Sequence, residues 1–185
     1  MGVLPFDKIQ AEAGFDLLLP TQDPLLLNGK LCTPESSLFK GSPALSFGIY
    51  GLGFKKDVTD YNIVHVMAQK TIPGVGGYVA AGVYHSFNKT LMTNSDGDVV
   101  QTGLMAAVTS PDIPVGLKGL KKITLAADIQ TGKNVMGAWG FGPNIYFADN
   151  VSLLVGPVFY LDKALQPGGK GMLWTVQLDV DIPLH

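Results

Sequence analysis

The feature of this sequence that most constrains its fold is a repeated alternation of apolar and polar residues. Between Lys8 and Leu19, every odd position from Ile9 onward is apolar, and the positions between are charged, polar or glycine, with Leu18 as the exception. Neighbouring side chains of a β-strand point to opposite faces, so a period of two predicts a long strand with one apolar face. A helix, with a period of about 3.6 residues, would scatter the same charges around its circumference.

The same alternation recurs along the chain and predicts about ten strands. Turn-forming residues separate the segments, as in Asn94–Gly97 and Asp149-Asn150. No segment requires a helix, and no linker or charge run divides the chain, so residues 1–185 are predicted to form a single β-barrel domain. The predicted strands are 8–19, 24–33, 43–54, 62–72, 77–87, 99–109, 122–130, 135–147, 151–161 and 173–182.

Two all-β architectures accommodate these strands: a soluble barrel or sandwich with its apolar face inside, and a transmembrane barrel with its apolar face toward lipid. Charged residues form only 15% of the chain, against about 25% in soluble proteins. The non-apolar face therefore lacks the Lys and Glu of a water-facing sheet and carries small residues that suit a confined interior. The glycines on that face are Gly14, Gly48, Gly103, Gly140, Gly142 and Gly156.

Strand length and aromatic placement also favour a membrane. Most predicted strands run about 9–13 residues, close to the ~9–11 that cross a bilayer and longer than the ~5–6 of soluble sheets. The sequence thus predicts an antiparallel up-and-down transmembrane β-barrel of about ten strands. Aromatic residues lie toward strand ends, as in interfacial girdles: Phe6, Phe15, Phe47, Phe54, Tyr146, Phe147, Phe159, Tyr160 and Trp174.

Three segments resemble strands of bacterial outer-membrane β-barrel proteins of the small, porin-like kind. The segment Asn144–Pro157 has their pattern of a long strand, a two-residue turn and another long strand; Leu173–Ile182 resembles their last strand, and Phe6–Leu17 an inner strand. The resemblance implies a place in the bacterial outer membrane, with the lipid bilayer as partner. The chain departs from the family where it ends, Ile182-Pro-Leu-His185, because such proteins usually end in an aromatic residue.

The N-terminal segment is a second departure. Residues Gly2–Asp7 have the pattern of a strand tail and a tight turn, and no signal peptide precedes them, although the resemblance implies one. No apolar run approaches the ~20 residues of a transmembrane helix. We therefore expect that upstream sequence is missing and that it holds one or two further strands, for a barrel of about 12. The alternative is a complete ten-stranded chain.

The sequence offers no catalytic or metal-binding constellation, and we predict a protein that is not an enzyme and binds no cofactor. No serine lies in a nucleophile elbow or at a motif spacing from His65, His85 or His185. Asn94–Asp98 is acidic but lacks the downstream Glu of a calcium loop, which predicts a solvent loop. Cys32 is the single cysteine, which excludes an intrachain disulfide and a zinc ribbon. A net charge of −2 provides no basic surplus for nucleic acid.

Charged and polar side chains on the non-apolar face are the candidate functional residues. Charges of both signs enclosed in a barrel require each other or water. A hydrated pore that passes small solutes is the leading hypothesis. A plugged interior in a structural or anchoring barrel, and a soluble ligand-binding barrel, are the alternatives. The predicted pore-lining residues are Lys8, Glu12, Asp16, Lys30, Lys122, Asp128, Gln177, Asp179 and Asp181.

Overall fold

The computed structural model describes residues 8–17 and 23–180, which form one antiparallel sheet. Ten strands follow one another across this sheet in chain order, and a short strand, β7, pairs with β8 alone. The fold is therefore an up-and-down sheet, in which each of these ten strands lies beside its neighbour in sequence. The strands are β1 Gln10–Leu17, β2 Leu25–Thr33, β3 Ala44–Leu52, β4 Ile63–Thr71, β5 Tyr78–Ser86, β6 Thr102–Thr109, β7 Ile113–Pro114, β8 Lys122–Gln130, β9 Ala138–Ala148, β10 Val151–Tyr160 and β11 Met172–Val180.

Within the described residues, the strand predictions are confirmed to within a few positions, and the differences have local causes; positions 18–19 and 181–182 of the predicted first and last strands lie outside these residues. Strand β8 has the predicted bounds, whereas β6 begins at Thr102 because Val100 donates its amide to the Met92 carbonyl in the preceding loop. Strand β9 begins at Ala138 because Asn134 organises a turn before it. Strand β7 was not predicted, since two residues carry no periodicity. Among residues 8–17 and 23–180, no helix is long and apolar enough to cross a membrane.

The sheet is strongly curled into a half-barrel. The Tyr50 hydroxyl on β3 donates to Oε1 of Gln130 on β8 over 3.0 Å, although three strands lie between β3 and β8. In a flat sheet these two strands would lie about 19 Å apart, at about 4.8 Å per strand. The face that carries Tyr50 and Gln130 is therefore concave, and we call it the inner face.

The opposite, convex face is apolar and exposed. One row of paired residues crosses five strands from β2 to β6, and its members are between 47% and 61% exposed. Such a row has no polar or charged side chain, which is unusual for a surface in water because large contiguous apolar patches are rare there. The row consists of Leu31, Phe47, Val66, Val83 and Leu104.

The connections after β1, β3, β5, β8 and β10 lie at one end of the half-barrel, which we call the loop end; those after β2, β4, β6 and β9 lie at the other, the turn end. Ile63, Tyr84 and Met92 form a buried hydrophobic cluster at the loop end. Met92 belongs to the loop between β5 and β6, so this loop folds into the concave side. The loops also bind one another: the Asp162 carboxylate accepts the Ser95 amide over 2.9 Å. The loop end is therefore a packed layer of chain.

The centre of the β9–β10 pair departs from regular strand pairing. Each strand carries a Gly-Pro dipeptide there, Gly142-Pro143 and Gly156-Pro157, and the ladder has no paired residues between Leu154–Asn144 and Val158–Gly140. Proline has no amide hydrogen to donate, so ladder bonds are lost. A Cβ on either glycine would collide with a carbonyl of the opposite strand, so the two backbones meet closely at this point.

Candidate functional site

The inner face is the candidate functional site, and its central row shows how it is built. Strand register places one residue from each of six successive strands in this row. A charged pair lies near the β1 edge, aromatic rings lie toward the middle of the sheet, and glycines lie beside the rings. The row consists of Glu12, Lys30, Gly48, His65, Tyr84 and Gly103.

The glycines of this row make room for the rings. A Cβ at Gly48 would collide with the His65 ring, and a Cβ at Gly103 would collide with the Tyr84 ring. Both rings therefore lie flat over the neighbouring strand instead of standing upright in the concavity. His65 also contacts Tyr50, with ring centroids 5.6 Å apart.

Tyr84 and Asn134 form the polar centre of the loop end. The Tyr84 hydroxyl donates to the Thr131 carbonyl over 2.6 Å. The Asn134 side chain, which is fully buried, donates from Nδ2 to the Tyr84 hydroxyl over 2.9 Å and to the Val100 carbonyl over 2.7 Å. Its Oδ1 accepts the Met136 amide over 3.0 Å. Asn134 thus joins strand β5 to two loops, the one that precedes β6 and the one that follows β8.

The structure brings together the predicted charges on β1 and β2. Lys30 Nζ lies 2.8 Å from Glu12 Oε2, and both side chains remain over one-third exposed. Asp16, four residues further along β1 on the same face, accepts a hydrogen bond from Asn28 Nδ2 over 2.8 Å. These side chains form a solvated network of both signs on the inner face.

The other predicted residues lie apart from that network. Lys122 binds Asp112 through both carboxylate oxygens, at 3.0 and 2.9 Å, and lies 4.6 Å from the centre of the Tyr146 ring at the turn end. Gln177 donates to Asp179 Oδ1 over 2.9 Å on β11. Asp128 is exposed beside Gly140, and Lys8 is exposed before β1; the predicted Asp181 lies outside the described residues.

Three inner-face side chains carry a buried polar atom with no hydrogen-bond partner among the described residues. These atoms are His65 Nδ1, Gln130 Nε2 and Asn144 Oδ1. Buried polar groups in proteins are almost always satisfied by protein or water. Each of these atoms is enclosed by protein, so water held within the wall, rather than a solute in the concavity, would satisfy it.

Carboxylates at the two ends of the sheet are held ionised by neighbouring donors. Lys70 and Thr71 bind Glu35 at the turn end, at 2.6 Å from Lys70 Nζ, and lower the pKa of Glu35 to about 2. An ion pair with Lys121 lowers the pKa of Asp149, and the Ser95 amide lowers the pKa of Asp162. These three carboxylates each link a connection to a neighbouring connection or to the end of a neighbouring strand.

A small cavity of about 350 Å³ opens among the loops, beside Asp96, Lys133, Asp162 and Lys163. A larger apolar groove of about 750 Å³ lies on the convex face over the Gly-Pro dipeptides. Within 8–17 and 23–180, no three His, Cys, Asp or Glu side chains are grouped to hold a metal ion. Comparison of the chain with protein-family models, curated proteins and solved structures gave no match.

Sequence reasoning missed the loop-end residues of the inner face. Tyr50 shares the parity of Gly48 on β3 and could have been assigned to this face from alternation alone, whereas Tyr84 joins the face through the register of β3, β4 and β5. Asn134 and Asp112 lie in connections, where alternation carries no information about direction. The residues that Asn134 and Asp112 contact depend on how the loops and segment 110–121 fold, which strand alternation does not describe.

Proposed function

We propose that this chain forms the wall of a bacterial outer-membrane β-barrel whose polar inner face lines a passage for small solutes. The observation that carries the proposal is the opposite character of the two faces of one sheet. The convex face is apolar and exposed, and the concave face is polar, small and charged. In transmembrane barrels, outward apolar residues alternate with polar inward ones in this way.

The convex face supports the membrane part of the proposal. Leu104, Leu125, Phe141 and Val176 lie on four different strands and are all at least half exposed. Transfer of apolar surface from water is favourable by about 25 cal/mol per Å², so a continuous band of this kind favours lipid over water. The resemblance of the strand pattern to outer-membrane barrels points to the same environment.

The inner face supports the passage of polar solutes. Its charges are exposed and include both signs, as the Glu12–Lys30 pair shows. The unpartnered polar atoms of His65, Gln130 and Asn144 are enclosed and call for water within the wall, which a hydrated interior would supply. A lining of this kind selects ions by electrostatics rather than by a tight binding site.

A structural barrel with a closed interior is the second candidate, and the loop end favours it. Ile63, Tyr84 and Met92 are buried there, and Asn134 binds Tyr84 from the neighbouring loop. A layer of this kind narrows the concavity at one end. The two candidates differ in whether solute crosses that layer.

Conductance of the reconstituted full chain in a planar bilayer tests the proposal. We expect single-channel steps from the folded protein and a reversal potential that depends on the inner charges. The double variant Asp128→Asn with Asp179→Asn removes two inner-face negative charges and should shift selectivity toward anions. The matched control is the double variant Asp96→Asn with Asp149→Asn, which removes two negative charges from the connections at the two ends of the sheet.

The outcomes separate the two candidates. Conductance with the expected shift in the double variant, and a smaller one in the control, supports a passage lined by the inner face. Silent bilayers that contain folded protein contradict it and favour the structural barrel. Equal shifts in both variants would mean that ions respond to surface charge alone, and that the inner face is not the lining.

A further inference from the structure

Two recesses lie in line along the last strands of the sheet. The cavity of about 350 Å³ lies among the loops just beyond β10, where Leu161 and Lys163 line it. The apolar groove of about 750 Å³ lies nearer the middle of the convex face, where Val155 and Trp174 line it. Val155, Phe159 and Leu161 have the same parity, so one column of convex side chains connects the groove to the cavity.

Stacked aromatic rings cover the convex face between the two recesses. The ring centroids of Trp139 and Phe159 lie 4.3 Å apart, and the Phe141 ring lies 6.1 Å from Trp139 and 6.4 Å from Phe159. Phe141 also lines the groove, and Trp139 and Phe141 are both exposed. The surface between the recesses is therefore apolar and aromatic.

The cavity, in contrast, carries charges of both signs. Lys133 and Lys163 line it, and neither takes part in the ion pairs of residues 8–17 and 23–180. The Asp162 carboxylate is occupied internally, because it accepts two backbone amides at 2.9 and 3.2 Å. The Asp96 carboxylate is exposed beside the cavity. The cavity therefore offers two ammonium groups and one carboxylate to a ligand.

We infer that these two recesses bind one phospholipid with a zwitterionic head group, which lies in the cavity while an acyl chain lies in the groove. Lysine ammonium groups form charge-assisted hydrogen bonds with phosphate oxygens, and basic pockets at membrane surfaces bind lipid head groups. The Asp96 carboxylate lies where it can attract the amine of such a head group. The stacked rings then contact the upper part of the chain.

The length of the path fits a lipid. Leu161 lies six residues beyond Val155, or about 20 Å along an extended strand at about 3.3 Å per residue. In a strand tilted by about 45°, this distance becomes about 14 Å along the membrane normal. Half of a hydrocarbon core of about 30 Å has nearly the same thickness. A head group at the cavity therefore places its chain along the whole groove.

This inference deepens the proposed function and rests on its membrane part, because it names a lipid partner for the convex face. A free anion uses the lysines but leaves the groove and the rings uncovered. A purely apolar ligand uses the groove but none of the charges. Of these three classes, a phospholipid is the one that uses both recesses.

Quenching of tryptophan emission tests the site, because both tryptophans of the chain lie along this path. The full chain in dodecyl maltoside micelles is titrated with phosphatidylcholine that carries bromine on one acyl chain. The head variant is Lys133→Ala with Lys163→Ala, and the groove variant is Ala127→Phe, which adds a ring to the groove lining. The matched control, Lys56→Ala with Lys89→Ala, removes two exposed lysines from other connections at the loop end.

We expect quenching that saturates at a single lipid per chain in the wild type and in the control. The apparent affinity should fall about tenfold in the head variant, as for the loss of one charge-assisted hydrogen bond. It should also fall in the groove variant, because the added ring occupies the space of the chain. Inorganic phosphate at millimolar concentration should not displace the lipid, and displacement would assign the cavity to a free anion and overturn the inference.

The variant Asp96→Asn tests the zwitterionic head group. It should weaken binding of brominated phosphatidylcholine but not of brominated phosphatidylglycerol, whose head group has no amine. Equal effects on the two lipids overturn this assignment. Quenching that rises without saturation and equally in all variants overturns the lipid site but leaves the convex face in an apolar phase, so the proposed function stands. Absence of any quenching contradicts both.

Discussion

Replacement of Val66 by arginine tests whether the convex face lies in lipid. Val66 lies near the middle of β4, between Phe47 and Val83 of the neighbouring strands, and is 49% exposed. Its side chain has no buried partner to lose, so the substitution changes mainly the contact between this face and its surroundings. The matched control is Gln69→Arg, three residues along the same strand, exposed and on the inner face.

The expected magnitude depends on what surrounds the convex face. In water, a substitution at an exposed strand position changes the free energy of unfolding by about 0.5 kcal/mol or less. In lipid, an arginine near the bilayer midplane of a barrel costs about 2–4 kcal/mol. We expect the larger loss for Val66→Arg, and for Gln69→Arg a change within about 0.5 kcal/mol because the inner face is hydrated.

The assay is urea unfolding of the protein reconstituted in phosphatidylcholine vesicles, followed by tryptophan emission. Trp139 and Trp174 are exposed on the convex face, so their emission reports removal from lipid. The same measurement in detergent-free buffer establishes whether the wild type remains folded without lipid. A Val66→Arg variant as stable as the wild type, or a Gln69→Arg variant that loses as much, would refute the assignment of the faces.

Three further predictions concern stability. Gly142→Ala should destabilise the protein by about 1–3 kcal/mol in urea unfolding, because its Cβ would collide with backbone atoms of the neighbouring strand. Gly14→Ala should cost far less, because a Cβ there meets nothing within 4 Å. Equal losses in the two variants would contradict this explanation. Asn134→Ala should lose about 1–3 kcal/mol in the same assay because it leaves buried acceptors without a donor, and an unchanged midpoint would refute its structural role. Because Lys70 and other donors lower the pKa of Glu35 from 4.5 to about 2, its contribution is present above pH 4.5 and lost as the pH falls toward 2. The stability difference between wild type and Glu35→Gln should therefore shrink over that pH range, and a constant difference would contradict the ion pair.

The strands and the face of each strand residue could both be predicted from the same alternation of apolar and polar residues. A period of two gives the element, and the parity of each residue gives its face. Gly48 and Gly103 were placed on the small, polar face by parity, and the structure shows why they are needed there, since His65 and Tyr84 occupy the space above them. Strand ends were predicted less well, because Val100 and Asn134 bind within loops that continue an apolar pattern.

The candidate site could be predicted only as a set of residues on one face. Parity placed Glu12 and Lys30 together on the inner face. Their contact also depends on the β1–β2 register, and alternation is equally compatible with any register shifted by two residues. Lys122 was predicted to line the interior, and the structure ties it to Asp112 of the connection that holds β7. The curl of the sheet and its open edges depend on the whole ladder, so no local pattern contains them.

Side-chain size on the inner face changes along the strands, which bears on where selectivity would arise in the proposed passage. Toward the loop end, large side chains such as Tyr50, Tyr84 and Met92 fill the concavity. Further along the same strands, the inner residues are small, as in Ser46 on β3 and Ala80 on β5. A lumen built from this wall is therefore narrowest at the loop end, where its lining is aromatic and amide. In the proposed passage, the Glu12–Lys30 pair on β1 and β2 and the Asp179 carboxylate on β11 place charge toward the two edges of the sheet, while the loop end sets the width.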